Sequence, residues 1–263
     1  MKVVLFCGGL GTRLREHSGT VPKPLVNIGH RPIIWHLMRY YAHYGHKDFI
    51  LCLGHRGDLI REFFLDYRGA MSTDFVLHDG GRVQLLAPDS EDWTITFVDT
   101  GLHSNLGMRL LRVRSLLEGE EAFLANYSDG LSDLPLDQHV DRFRRSGSVA
   151  HFMAARPSHS FHSVDADDDG RVSSVSPVQN MNLWINSGFF CLRREIFDYI
   201  EPGEELVEQP FSRLIRERKL TTWKYEGFWQ PMDTFKDKIA YDRMEAREEC
   251  PWKVWNSRRD TGC

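Results

Sequence analysis

Lys2 to Gly9 reads KVVLFCGG, a β-branched and apolar run that stops at two glycines. That is the pattern of a buried strand emptying into a flexible loop. Working outward, the next periodic stretch begins after Pro32. From Ile33 to Tyr44 the apolar positions Ile33, Ile34, Leu37, Met38 and Tyr41 recur at three- and four-residue spacing, and Gly45 supplies the stop, so the spacing predicts a helix. FILCLG (49–54) repeats the strand and LIREFFLDY (59–67) the helix. Two strand–helix units in succession predict a parallel sheet with right-handed crossovers.

Further on, WTITFVDT (93–100) alternates as a strand, GMRLLRVRSLLEG (107–119) is amphipathic, and EAFLANYSDG (121–130) is an apolar strand with an acidic end. Pro135 opens a helix through Arg145, and VAHFMAA (149–155) is a further strand. The pattern then shifts to shorter β pieces in VDADDDGRVSSV (164–175) and LWINSGFFCL (183–192). Helices near 194–200 and 210–219, a strand TTWKYE (221–226) and a final helix near 237–249 complete the chain. The expectation is an α/β, Rossmann-like fold: a mostly parallel sheet flanked by helices, with a small mixed β excursion in the second half. No repeat or low-complexity linker interrupts it, so a single domain over 1–256 is expected, with SRRDTGC (257–263) as a frayed tail.

The 263 residues carry 33 Lys plus Arg against 37 Asp plus Glu, a formal net charge of −4. This gives no electrostatic reason to expect nucleic acid or an anionic membrane as partner, so a phosphate ligand would have to be held locally. The longest apolar run, VVLFC, falls far short of the ~20 residues of a membrane helix, and no secretory leader is expected. Five cysteines at wide spacings, with no CxxC pair, fit reduced thiols in a cytoplasmic protein.

The loop after the first strand reads GGLGTRLREHSGTVPKPL, from Gly8 to Leu25. Gly8, Gly9 and Gly11 let the backbone approach a phosphate and point N–H groups at it, while Thr12, Arg13 and Lys23 add polar and positive groups to the same opening. Proline on both sides of Lys23 holds its backbone extended. Two other phosphate loops fail at the letters. GxGxxG from Gly9 would need a glycine where Leu14 stands, and no Gly-Lys-Ser/Thr follows at the spacing of a Walker loop.

Asp129 stands at the carboxyl end of a strand, where parallel sheets bind ligands, and Asp233 lies in the aromatic-rich WQPMDT. Each reads either as a metal ligand or as a local cap, an Asx turn at Asp129 and a helix N-cap at Asp233. Two carboxylates on separate elements suit Mg²⁺, which fills its other positions with phosphate oxygens and water. Asp133 reads as structural. Asp165, Asp167, Asp169 and Gly170 open like a calcium loop, but the last ligand would fall on Ser176, so a solvated hairpin turn is expected. His151, His159 and His162 lack partners for a zinc site and read as loop histidines.

GGLGTRL, PKPL and RPIIWH, followed by VDTG (98–101), SDGLSDL (128–134), INSGFFCL (185–192) and GFWQPMDTFKDK (227–238), resemble the sugar-nucleotide pyrophosphorylase family, most of all its glucose-1-phosphate cytidylyltransferase branch. The resemblance runs in register from Met1 to about Trp255. It implies an enzyme that joins a nucleoside triphosphate, CTP in that branch, to a sugar 1-phosphate with release of pyrophosphate. It further implies Arg13 on the departing β,γ-phosphates and Lys23 at the α-phosphate, both catalytic. Gly8, Gly9, Gly11, Thr12 and Arg109 would hold the nucleotide, Asn186 and Gly188 the sugar, and Asp129 and Asp233 magnesium. A helix-surface salt bridge is the other reading of Arg109. Relatives commonly form homo-oligomers, which is the expectation for this chain too.

The chain departs from the family between Val172 and Asn186. A Glu-Lys-Pro motif is typical there, its lysine on the sugar phosphate, whereas this chain reads SSVSPVQNMNLWI (173–185) without a charged residue. Arg156, Arg171 or Arg109 could supply the counter-charge, or the acceptor is not glucose 1-phosphate. Serine replaces the family's glycine at Ser128 and Ser187. Beside the transferase, a catalytically silent nucleotide-binding protein is the competing class.

Overall fold

Val3–Cys7 (β1) is buried along its whole length and lies inside an eight-stranded sheet. The structure, a computed structural model, describes residues 1–9, 21–65, 75–85, 92–157 and 161–256. The other strands of the sheet are β2 (Asp48–Leu53), β3 (Thr94–Asp99), β4 (Ala122–Tyr127), β5 (Ala150–Ala155), β6 (Ile185–Asn186), β7 (Phe190–Arg193) and β8 (Leu220–Lys224). β1 pairs in parallel with β2 and with β4, β2 with β3, and β5 with β8. β7 pairs antiparallel with β4 and β5, and β6 antiparallel with β5. β5 therefore points the same way as β1, and so does β8. The carboxyl ends of β1, β2, β3, β4, β5 and β8 all emerge on one side.

Because both faces of a mostly parallel sheet are covered at its centre, β1 is apolar at every position and β2 from Phe49 to Leu53. Val3, Leu5 and Cys7 face one layer with Leu37, Met38 and Tyr41 of α1 (Ile33–His43). Val140 and Phe143 of a later helix (Leu136–Ser146) and Trp252 join that layer. Val4 and Phe6 face the other layer with Leu110 and Val113 (from the helix Leu106–Val113) and Phe211 and Leu214 (from Gln209–Arg216). We number the helices after α1 as α2 (Gly57–Leu65), α3 (Leu106–Val113), α4 (Leu136–Ser146), α5 (Gln209–Arg216) and α6 (Phe235–Ala246).

The expected mostly parallel α/β architecture is present, with three adjustments. The segment near 194–200 is a short 3-10 turn, Arg194–Asp198, rather than an α-helix; Pro202 disfavours helical backbone at Glu201. INSGFFCL enters the central sheet as β6 and β7, so the β excursion reduces to the hairpin His162–Ala166 and Val172–Pro177. The acidic run is that hairpin's turn, with the Arg171 amide donating to Asp167 Oδ1 at 2.8 Å. Two of the three histidines are strand rather than loop residues, His151 buried on β5 and His162 on the hairpin strand; His159 falls outside the described residues. The tail at 257–263 also falls outside them. Among the described residues no helix is long and apolar enough to cross a membrane.

Candidate active site

Chain order reverses where β1 pairs with β2 on one edge and β4 on the other, and open α/β sheets bind ligands outside the carboxyl strand ends at such a point. Gly8 and Gly9 leave β1 there, and Ser128 and Asp129 leave β4. A cavity of about 210 Å³ opens between them, bordered also by Lys23, Arg109, Tyr127, Glu205 and the turn Ser104–Leu106. Ser128 Oγ donates to the Phe6 carbonyl at 2.8 Å, so the serine that replaces a family glycine ties the two strand ends together.

Lys23 is not in the extended backbone expected from its flanking prolines: it heads a 3-10 turn, Lys23–Leu25, and the extended residue is Pro22 before it. Its ammonium donates to Asp129 Oδ2 at 3.1 Å and to Asp233 Oδ1. Burial works against the ammonium, but the carboxylates of Asp129 and Asp233 outweigh it and hold the Lys23 pKa above its ordinary value. The same burial raises the Asp129 carboxyl; Lys23 opposes that rise and Asp233 adds to it.

Asp233 comes to Asp129 through backbone pairing. Trp229–Pro231 runs antiparallel to Gly130–Ser132, and the Met232 amide donates to the Asp129 carbonyl at 2.7 Å. Asp233 is not the N-cap of α6. Thr234 is, in a reciprocal capping box with Asp237, which leaves the Asp233 side chain free to face Lys23. Asp133 accepts from the Tyr225 hydroxyl at 2.7 Å, in keeping with a structural role.

Arg109, on α3, is not a surface residue, and among the described residues it is not half of an ion pair. Only 4% exposed, its guanidinium donates to the Leu53 carbonyl (3.2 Å), Thr100 Oγ1 (2.5 Å) and the Gly8 carbonyl (3.1 Å). It thus staples the ends of β1 and β2 to the residue after β3. A side chain at Gly8 would place its Cβ 2.1 Å from Arg109 Nη1, so glycine is required there for the close approach. Cys7 borders the cavity as well, but burial pushes its thiol up to about 12, which leaves it protonated and not a nucleophile.

On the sugar side, Asn186 Nδ2 donates to the Tyr127 hydroxyl at 3.1 Å and Asn186 Oδ1 accepts from the Gly188 amide at 3.0 Å. Gly188 has φ +84°, and a Cβ on it would lie 2.3 Å from Asn126 Oδ1. Tyr127, not Asn186 or Gly188, borders the cavity. Of the cations expected near the uncharged segment, Arg156 lies against it. Its guanidinium sits 4.7 Å from the Trp184 ring centroid and donates to the Met181 carbonyl at 3.0 Å. Lys224 approaches the same ring, at 5.5 Å. Both follow or end strands, β5 and β8, whose carboxyl ends share the side of the cavity. Arg171 is on the distant hairpin turn. Gly11, Thr12 and Arg13 lie outside the described residues.

The structure thus brings Gly8, Gly9, Lys23, Arg109, Asp129 and Asp233 together and holds Asn186 and Gly188 one residue back, behind Tyr127. Ser104, Asn105, Tyr127 and Glu205 border the cavity with no sequence motif to announce them.

A reversing α/β sheet with an ammonium and two carboxylates at its carboxyl-end crevice defines a phosphate-handling domain of the doubly wound type. The nucleotidyl transferase family model matches residues 2–230, and the chain belongs to that family. It is 38% identical over 257 residues, 97% of this chain and 100% of the relative, to the glucose-1-phosphate cytidylyltransferase of Salmonella typhi. It is 27% identical to the mannose-1-phosphate guanyltransferase of Saccharomyces cerevisiae, over 95% of this chain and 67% of that one. A solved UDP-glucose pyrophosphorylase with UDP-glucose shares the fold at a TM-score of 0.68 and 15% identity, covering 94% of this chain and 98% of the other.

Proposed function

We propose that this chain transfers a cytidylyl group from CTP to a sugar 1-phosphate, glucose 1-phosphate first among candidates, giving a CDP-sugar and pyrophosphate. A phosphate oxygen of the sugar attacks the α-phosphorus in line; the bond between the α-phosphorus and its bridging oxygen breaks, and pyrophosphate departs with that oxygen. The nucleophile is already an anion, so positioning and charge neutralisation carry the reaction and no covalent enzyme intermediate is required. The observation that carries this reading is the meeting of Lys23, Asp129 and Asp233, separated by up to 210 residues in sequence, at the sheet's switch point.

The Lys23 ammonium between the two carboxylates supports a cation site there, and hard oxygen donors on separate elements fit Mg²⁺. Asp129 and Asp233 would hold it, and when bound it would neutralise phosphate charge. Lys23, held by these carboxylates, would meet the α-phosphate and Arg13 the departing phosphates, while Arg109 holds the Gly8 end of the cradle in place. The acceptor phosphate, deprived of the family's lysine, finds its counter-charge in Arg156.

Pyrophosphate release across four nucleoside triphosphates and several sugar 1-phosphates tests the reading. Release with CTP and glucose 1-phosphate is expected. Nucleotide binding without release in every combination would instead make the chain a silent nucleotide-binding protein.

A further inference from the structure

Lys23 and Asp129 mark the proposed phosphate end of the cavity, and its lining continues through Ser104–Leu106 and Glu205, which we take as the place of the base. Nearly every polar side chain bordering that end is already engaged. Ser104 donates to the Thr100 carbonyl. Asn105 accepts from the Met108 amide and donates to the Gly203 carbonyl, both at 2.9 Å. Arg109 gives three N–H donors to Leu53, Thr100 and Gly8, and the Tyr127 hydroxyl accepts from Asn186. Glu205 is different. Its Oε2 accepts from the Leu106 amide at the start of α3, at 3.3 Å, while Oε1 is buried and has no hydrogen-bond partner among the described residues.

The loop that delivers Glu205 is held firmly. Asn105 binds its Gly203 carbonyl, and Arg213 grips the neighbouring Glu204 carboxylate through both guanidinium nitrogens at 2.5 Å. Gly107 completes the fit: a Cβ there would lie 2.3 Å from the Glu204 carbonyl oxygen, so only glycine lets this loop seat on α3. A buried acceptor left open on a braced loop calls for a donor that the protein does not provide.

We infer that Glu205 is the base-selecting residue of this enzyme, its Oε1 accepting a hydrogen bond from the exocyclic amino group of cytosine. The inference rests on the cytidylyl-transfer reading above. An ionised carboxylate can only accept. Cytosine presents an N4 amino donor where uracil or thymine presents a carbonyl oxygen, which would face the carboxylate lone pairs. Sites built around a substrate donor reject the analogue lacking it far more strongly than apolar pockets reject a size change.

The test measures the equilibrium binding of CTP and UTP, and pyrophosphate release from each with glucose 1-phosphate, for the wild type and Glu205→Gln. Glutamine keeps a carbonyl oxygen for the Leu106 amide and adds an NH₂ that can donate to the uracil O4. The expected result is a wild-type preference for CTP that falls by roughly tenfold or more in Glu205→Gln, with UTP binding improved. An unchanged ratio would overturn the inference. So would an equal loss of affinity for both nucleotides, which would mark Glu205 as a helix cap only, or a wild type that binds UTP as tightly as CTP. If CTP is preferred in binding and the preference collapses in Glu205→Gln, but no pyrophosphate appears, the base assignment stands and the transferase reading fails.

Discussion

The two halves of the cavity rim are built differently. On the donor side every strand end is stapled: Arg109 joins Gly8, Leu53 and Thr100, Ser128 joins β4 to β1, and Lys23 joins Asp129 to Asp233. On the acceptor side the family's charged motif is replaced by an uncharged stretch, and the nearby cations Arg156 and Lys224 lie against Trp184. Side chains there meet the cavity indirectly, Asn186 through Tyr127. The donor half is a set of side chains and strand ends that constrain one another. On the proposed reading the acceptor half takes its counter-charge from Arg156, so the two halves should respond differently to substitution.

The largest effect should come from the donor side. Asp129→Asn removes one of two carboxylates offered to magnesium, so turnover should fall by roughly 10²-fold and half-maximal activity should need far more Mg²⁺. A metal titration superimposable on the wild type would break the comparison there. Arg156→Ala should raise the KM for the sugar 1-phosphate by about tenfold and leave that for CTP unchanged, as removing one charge-assisted contact does. A rise in both constants would show that the halves are not separable.

Arg109→Met keeps the bulk but takes the donor from the buried Gly8 carbonyl and leaves the Leu53 carbonyl with its bonds from Thr100 alone, with an expected loss of about 2 kcal/mol in a denaturant titration. The fold should survive with a weakened nucleotide cradle. A variant as stable as the wild type would show that the staple is idle.

The smallest effect concerns the acceptor half. His139 Nε2–H donates to the Phe189 carbonyl at 2.7 Å, directly after Gly188, and its ring lies 4.6 Å from that of His151. Burial lowers His139 to about 3 and His151 to about 4, below the ordinary value near 6.5. The unfolded chain therefore binds protons that the native state refuses. The stability from these neutral rings is fully present above pH 6.5 and is progressively lost as pH falls toward 4. Replacing His151 by Phe should flatten the fall of Tm between pH 6.5 and 5; an unchanged slope would assign the acid sensitivity elsewhere.

Much of this was legible in the residues. Period and punctuation gave the sheet because a strand buried on both faces must be apolar throughout, as Val3–Cys7 is. Lys23 stood out because prolines frame it, and Asp129 because it ends a strand. Arg109 was legible as a position but not as a staple: an arginine on an amphipathic helix reads as solvated unless the facing carbonyls are known. Glu205 carried no signal among Glu201, Glu204 and Glu208, since what singles it out is the seat that Gly107 opens on another element. The His139–His151 ring contact is likewise a meeting of a helix with a strand, which spacing along the chain does not encode.

The central claim is that Lys23 is held by two acidic groups so that it can meet the nucleotide's α-phosphate. It is tested most directly by the steady-state rate of pyrophosphate release from CTP and glucose 1-phosphate, both saturating, in the wild type and in Lys23→Ala. The account predicts a kcat lower by roughly 10²-fold or more in a variant that remains folded. Equal turnover in the two proteins would contradict it.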